Sequence, residues 1–385
     1  MKRLRGLLLA WLSLAIVVAV VGCSAGRGPS NTGGGGRPSS GSGPLASLPP
    51  PRPDPLGYDL ASASLNGVAS GEVGALAAVP GSPDATLCAH APLQQVAAVT
   101  SLTPALETSL PFAVGDLASV GTLAFACTSD PGVAGAADLY RRSAPTPGAP
   151  TWARVLDTSA SEAALGATAA ATGSQVLLAL GGPGPAALVQ LEPASAAVLG
   201  SVSLGALRPR AVVEFPSGSG TVYVGGAAAV GDDLAFVRVR AGALEPLGLP
   251  IAPAAGERLE VSALLVVPDG AGNELLVVAV AGLDPTSGAP TQGAFFLHDG
   301  NGPTPLPGLT GDAPTALAFQ DDTLVAGSAQ GRLLLLEPSL GWQDAPGFPP
   351  VERVTSLLSR DRRHLLVGCR TATGALLVIR AGRTP

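Results

Sequence analysis

The chain has 385 residues, of which 46% are hydrophobic and only 13% charged, with a formal net charge of −6. That acidic balance excludes the broad basic surface that a phosphate backbone requires, so nucleic acid is not an expected partner. Past the first two dozen residues no apolar run approaches the roughly 20 residues that cross a bilayer unbroken by Gly, Pro or polar groups; the closest, residues 163–191, is broken by Thr168, Thr172 and the run Gly181-Gly182-Pro183-Gly184-Pro185.

At the start, Lys2, Arg3 and Arg5 precede an apolar core over residues 7–21, the charged and hydrophobic regions of an export signal. Val20-Val21-Gly22-Cys23 then resembles the lipobox of bacterial lipoproteins. The resemblance implies that residues 1–22 are a signal peptide and that Cys23 receives a diacylglycerol and becomes the first residue of the mature chain. The alternatives are an uncleaved helix, for which about 15 apolar residues are short, and an ordinary signal peptide cut near Ala25. Each buried CH₂ of a palmitate-type chain contributes about 0.8 kcal/mol, and two or more chains anchor stably where one does not. Ser24 after the cysteine implies, by the same resemblance, the outer membrane if the cell has two.

Residues 23–56 hold Gly33 to Gly36, the run Pro38-Ser39-Ser40-Gly41-Ser42-Gly43-Pro44 and Pro49-Pro50-Pro51-Arg52-Pro53, with almost nothing to bury. That composition predicts a disordered tether. As a Gly-rich coil its r.m.s. reach is roughly 30 Å.

Residues 57–385 read as short β runs bounded by Gly, Pro, Asp and Ser, without helical periodicity. One kind of run recurs: Thr86-Leu87-Cys88-Ala89, Thr122-Leu123-Ala124-Phe125-Ala126-Cys127, Val176-Leu177-Leu178-Ala179-Leu180, Thr221-Val222-Tyr223-Val224-Gly225-Gly226, Leu275-Leu276-Val277-Val278-Ala279, Thr323-Leu324-Val325-Ala326-Gly327 and Leu365-Leu366-Val367-Gly368-Cys369. The mean spacing is about 46 residues, the length of a four-stranded propeller blade. An apolar strand precedes each run across a tight turn, as in Ala316-Leu317-Ala318-Phe319 before Gln320-Asp321-Asp322, and another follows, as in Gly331-Arg332-Leu333-Leu334-Leu335-Leu336-Glu337. A weaker fourth strand, such as Thr151–Asp157, closes most repeats. The last repeat lacks a fourth strand, whereas Tyr58–Leu65 belongs to no repeat by count, so that N-terminal segment is expected to pair with residues 374–380.

The segment from Ala316 through Leu333, and Ser359-Arg360-Asp361-Arg362-Arg363-His364-Leu365-Leu366-Val367-Gly368, resemble the core of WD40-like and related PQQ-like (YVTN-type) bacterial propeller repeats. The resemblance implies an all-β, seven-bladed β-propeller of four-stranded antiparallel blades. It departs from WD40 at Leu336-Glu337, where that family has Trp-Asp, so the family's buried tetrad does not carry over.

Little in the sequence points to catalysis. His90, His298 and His364 fall in or beside strands of different repeats, without zinc-ligand spacing. Asp269-Gly270-Ala271-Gly272-Asn273 and Asp299-Gly300-Asn301-Gly302 read as turns, since they lack the spaced acidic ligands of a calcium loop. Cys88, Cys127 and Cys369 lie near strand ends of adjoining repeats: export permits a disulfide, with Cys88 and Cys127 the candidate pair, and three buried thiols are the other reading. Aligned repeats place Glu72, Arg208, Glu260 and Glu352 at equivalent leading positions of the innermost strand, where a ring of charge at the channel mouth would take a polar or cationic ligand. The expected function is a non-catalytic binding or scaffold module in the cell envelope, without cofactor, partnered by the membrane through its lipid and by a protein or polar ligand. The alternative is an extracytoplasmic propeller enzyme such as a quinone-dependent dehydrogenase or a lyase.

Overall fold

The structure, a computed structural model, describes residues 48–49, 58–65, 72–82, 84–91, 95–100, 103–128, 138–143, 150–157, 166–172, 175–181, 186–228 and 233–382, all within the compact unit Ser42–Pro385. The export segment and lipobox, with Cys23, lie outside the described residues.

Every regular element described is a strand, and after β1 (Tyr58–Leu65) the strands come in six groups of four and a last group of three. β2 (Glu72–Ala78), β3 (Ala85–Ala91), β4 (Gln95–Thr100) and β5 (Thr103–Ser109) form the first array. The second is β6 (Val114–Val120), β7 (Leu123–Thr128), β8 (Asp138–Ser143) and β9 (Thr151–Asp157); the third is β10 (Gly166–Ala171), β11 (Val176–Gly181), β12 (Ala186–Leu191) and β13 (Val198–Gly205). β14 (Leu207–Glu214), β15 (Val222–Ala228), β16 (Leu234–Arg240) and β17 (Ala243–Pro246) follow, then β18 (Arg258–Pro268), β19 (Glu274–Leu283), β20 (Pro290–His298) and β21 (Pro303–Thr310). After β22 (Pro314–Gln320), β23 (Thr323–Ser328), β24 (Leu333–Glu337) and β25 (Gly341–Asp344) come β26 (Arg353–Ser359), β27 (His364–Thr371) and β28 (Gly374–Gly382). All pairings are antiparallel, and β26-β27-β28 joins the first array into one eight-stranded sheet through the single pair Glu72↔Arg370.

The recurring sequence run is the second strand of its array each time, and the turn chemistry explains why the hairpins form there. Between β22 and β23, Asp321 and Asp322 both take positive φ (49° and 60°), the two-residue turn whose twist matches its flanking strands. Asp269 Oδ1 accepts the N–H groups of Ala271 (2.8 Å) and Asn273 (2.7 Å), and Asp299 Oδ1 that of Asn301 (2.8 Å), so both Gly-rich loops are closed by their own aspartates as turns.

The core is divided among the junctions between successive arrays. β11 is buried along its whole length, because a neighbouring sheet covers each of its faces, whereas the outer strand β17 is exposed throughout. One cluster joins Phe125 and Leu139 of the second array to Leu178 and Leu191 of the third; another joins Tyr223 and Phe236 to Leu276 and Phe296. No array holds a core alone, so stability is shared between neighbours.

Close approach at these junctions requires glycine at particular second-strand positions. A Cβ on Gly225 would run into Val261, one on Gly327 into Val354, and one on Gly368 into both Val73 and the Ser356 hydroxyl of its own array. In each case a valine of the next first strand fills the space a side chain would need. The first strands β2, β6, β10, β14, β18, β22 and β26 thereby touch in sequence, and β26 touches β2, which closes the cycle.

The end of the cycle is closed as the strand count implies. β1 pairs with β28 over eight residues, from Tyr58↔Gly382 to Leu65↔Ala375. Thr355 Oγ1 and Ser356 Oγ on β26 both donate to the Val73 carbonyl on β2 (2.6 and 3.0 Å), stitching residues some 280 positions apart. Upstream, Leu48 packs against the cluster of Phe295, Leu306 and Leu336, so contacts with the folded unit begin before residue 57, where the composition places its start.

Candidate functional site: the axial cavity

All the first strands face one cavity of about 280 Å³. Its geometry follows from a recurring irregularity. In β2, β6, β14, β18, β22 and β26 the register with the second strand skips one residue, respectively Gly74, Gly115, Arg210, Ser262, Thr315 and Thr355. Each skipped residue is a β-bulge, which re-aims a side chain out of the ladder. Every one of the six lines the cavity. β10 alone keeps regular pairing and presents Thr168 and Ala169.

Hydroxyls of this lining also tie neighbouring strands together. Thr315 Oγ1 donates to the Val354 carbonyl at 2.6 Å, the contact Thr355 makes with Val73 one array later. Between the second and third arrays a carboxylate takes over: Asp116 Oδ2 accepts from Thr168 Oγ1 (2.8 Å) and the Ala169 N–H (3.2 Å), and Oδ1 from the Leu117 N–H (2.8 Å).

Asp116 is the single carboxylate of the lining and Arg210 the single cation. Burial pushes the Asp116 carboxyl up to about 6, against the opposing effect of its three hydrogen bonds. Because the folded state holds this proton more tightly than the unfolded chain, the contribution is fully present below pH ~4 and is lost as pH rises through ~6. The expected loss is on the order of 2–3 kcal/mol across that window. Urea unfolding at half-unit pH steps will show it, and Asp116→Asn will flatten this part of the profile while the rest is kept; an unchanged slope in the variant assigns the dependence elsewhere.

The residues expected at the channel mouth do not line this cavity. Glu72, Arg208 and Glu260 each sit two residues before a bulge, at equivalent positions; Glu352 lies one residue too early, just outside β26, and Arg353 takes the equivalent place. Arg370 brings Glu72 and Glu352 to one locality: it is the ladder partner of Glu72, and its Nε lies 3.4 Å from Glu352 Oε2. Glu260 is held by Arg258 at 3.7 Å and, across the junction, by Arg210 at 3.8 Å. That second pair links the leading carboxylate to the cavity's cation.

The three described cysteines, Cys88, Cys127 and Cys369, are free, buried thiols, and the Cys88–Cys127 disulfide is not formed. Cys127 pairs in register with Asp116 and Cys88 with Leu76, one residue past the equivalent Ala75, so their side chains point to opposite sheet faces. They lie in different clusters accordingly. Burial pushes Cys88 and Cys369 up to about 12 and Cys127 well above the ordinary thiol range, which keeps all three protonated and unreactive.

His298 is buried, edge-on to Tyr223 with ring centroids 5.7 Å apart; its Nδ1 accepts the Gly300 N–H (2.9 Å), and burial holds its pKa below the ordinary value. His364 is paired with Asp361 at 2.8 Å, and His90 lies in β3. Among the described residues no histidine or cysteine lines the axial cavity, and no group of three or more His, Cys, Asp or Glu is placed to hold a metal ion. What the lining offers is a cage of hydroxyls and strand polar groups with one acid and one cation. Asp116, Arg210 and the bulge hydroxyls escaped the sequence alignment, which stopped at the charged leading residues; the column two positions later (Gly74, Arg210, Ser262) was the available signal.

No family model matches the sequence, and no curated protein matches it. Solved structures do match in shape. The WD40 β-propeller domain of Doa1 superposes with a TM-score of 0.57 at 9% identity, covering 85% of this chain and 98% of that one. YCF48 bound to D1 peptide gives 0.55 at 11% identity, over 88% of this chain and 98% of that one. The extracellular domain of BT4673 from B. thetaiotaomicron gives 0.57 at 13% identity, covering 84% of this chain and 39% of that one. At such identities the likeness establishes the fold alone: this chain has a propeller-like all-β architecture.

Proposed function

We propose that the chain is an exported β-propeller lipoprotein of seven blades, held on the extracytoplasmic side of a membrane by a lipid on Cys23, that binds a polar ligand or protein partner without transforming it. The blade count treats the eight-stranded sheet as two blades that meet at Glu72↔Arg370. One observation carries the binding reading: six bulges and β10 converge on a single cavity whose only charged side chains are Asp116 and Arg210, with Glu260 paired to Arg210. Hydroxyls, one acid and one cation orient a polar group; they do not make a nucleophile and base pair. The shape likeness to a peptide-bound YCF48 and to an extracellular domain agrees with a protein partner and an extracytoplasmic setting.

Two measurements test the two halves separately. Metabolic labelling with a fatty acid is expected to mark the wild type and leave Cys23→Ala unlabelled and unprocessed; equal label on both removes the anchor. Partner capture from detergent-solubilised envelope is expected to fall about tenfold in Arg210→Ala, the loss of one charge-assisted contact, and to change when Glu72, Glu260 and Glu352 are neutralised together. Capture per folded molecule that is indifferent to all four positions moves the site away from the axis.

A further inference from the structure

A second cavity, of about 260 Å³, opens at the seam where the cycle closes, and it shares no lining residue with the axial one. Leu366 and Leu377 of the last array supply an aliphatic floor, both essentially fully buried. Four polar side chains line the same space; His364 is engaged by Asp361 at 2.8 Å, which leaves the other three to meet a ligand. Thr86 on β3 is 1% exposed and its Oγ1 has no hydrogen-bond partner. Arg360, in the turn between β26 and β27, has a buried Nε that likewise lacks one. Asp84 stands exposed at the rim, on the other side of the seam.

Orphaned buried donors are costly, and each such group in a folded protein calls for a partner that completes it. A hydroxyl and a guanidinium N–H together suit the two oxygens of a carboxylate. The leucine floor suits a short hydrocarbon, and a rim carboxylate suits an ammonium. A cavity of about 150 Å³ accommodates benzene, so this one admits a molecule of leucine size.

We propose that the seam is a binding site for a small aliphatic amino acid, its carboxylate on Arg360 and Thr86, its ammonium toward Asp84 and its side chain on Leu366 and Leu377. Because the walls come from the first and last arrays, the ligand bridges the ends of the cycle and stabilises the closed form by mass action.

Calorimetric titration of the full chain in detergent with L-leucine, 4-methylvalerate and isopentylamine tests this directly. Leucine is expected to bind saturably at millimolar concentration or below and to raise the unfolding midpoint, with each singly charged analogue about tenfold weaker. Arg360→Gln is expected to abolish the preference for leucine over isopentylamine, and Asp84→Asn the preference over 4-methylvalerate, so the two variants fail in opposite directions. Absence of leucine binding at ten millimolar overturns the proposal, as does leucine binding that both variants leave unchanged. If 4-methylvalerate binds as tightly as leucine, the amino-acid assignment is wrong.

Discussion

Deleting Tyr58–Leu65 is expected to destabilise the whole cycle by on the order of 3–5 kcal/mol and to make the protein aggregate. The eight-residue register with β28 supplies main-chain hydrogen bonds worth about 1 kcal/mol net each, offset in part by the ordering of the strand itself. Leu60 adds packing against the buried cluster of Val325, Val367 and Val378 between the last two arrays. Without β1 the edge of β28 presents unpaired N–H and C=O groups to other chains. Thermal and urea unfolding should show a large drop in midpoint for this deletion and none for deletion of residues 33–42. Equal midpoints for the two would mean that closure does not depend on the N-terminal strand.

Arg142→Ala should cost about 3–5 kcal/mol, the second large effect. Arg142 on β8 grips Glu107 on β5 through two parallel bonds, Nε to Oε2 at 2.8 Å and Nη2 to Oε1 at 2.6 Å, with side chains only 9% and 6% exposed. Trp152 Nε1 donates to the same Oε2 at 3.1 Å. Truncating the arginine strands a buried carboxylate on a single indole N–H, whereas replacing both partners by apolar residues removes the desolvation cost along with the attraction. The double variant Glu107→Leu with Arg142→Met should therefore recover most of the loss in a urea-unfolding cycle. Additive losses in the two single variants and the double would show that the groups act independently.

The strands were legible because the chain repeats one hairpin with strong turn residues, and the closing strand because counting left one run without an array and one array without a fourth strand. Tyr58–Leu65 pairs where that count places it. The site was less legible, for a reason rooted in strand geometry. Alternation with period two tells which residues share a face, but each bulge inserts a residue and resets the phase, so the inward column begins after Glu72, Arg208 and Glu260. Phase defeated the cysteine pair as well: Cys88 and Cys127 stand near each other in a repeat alignment, yet a one-residue offset turns them to opposite faces. The buried pair of Glu107 and Arg142 joins an outer strand to a third strand of the next array, a junction that no repeat alignment brings together.

The order in which the chain is made gives β1 a further significance. It is the first described strand to be synthesised, and its partner, Gly374–Gly382, is the last described strand. Every hairpin between them can form from neighbours in sequence, but the final pairing waits until some 310 residues have been laid down, so completion is governed by a long-range encounter. A chain interrupted anywhere before β28 is left with an unpaired strand at its beginning as well as at its end. The closing strand thus acts as a checkpoint on length: only a chain that extends through β28 can hide both of these edges.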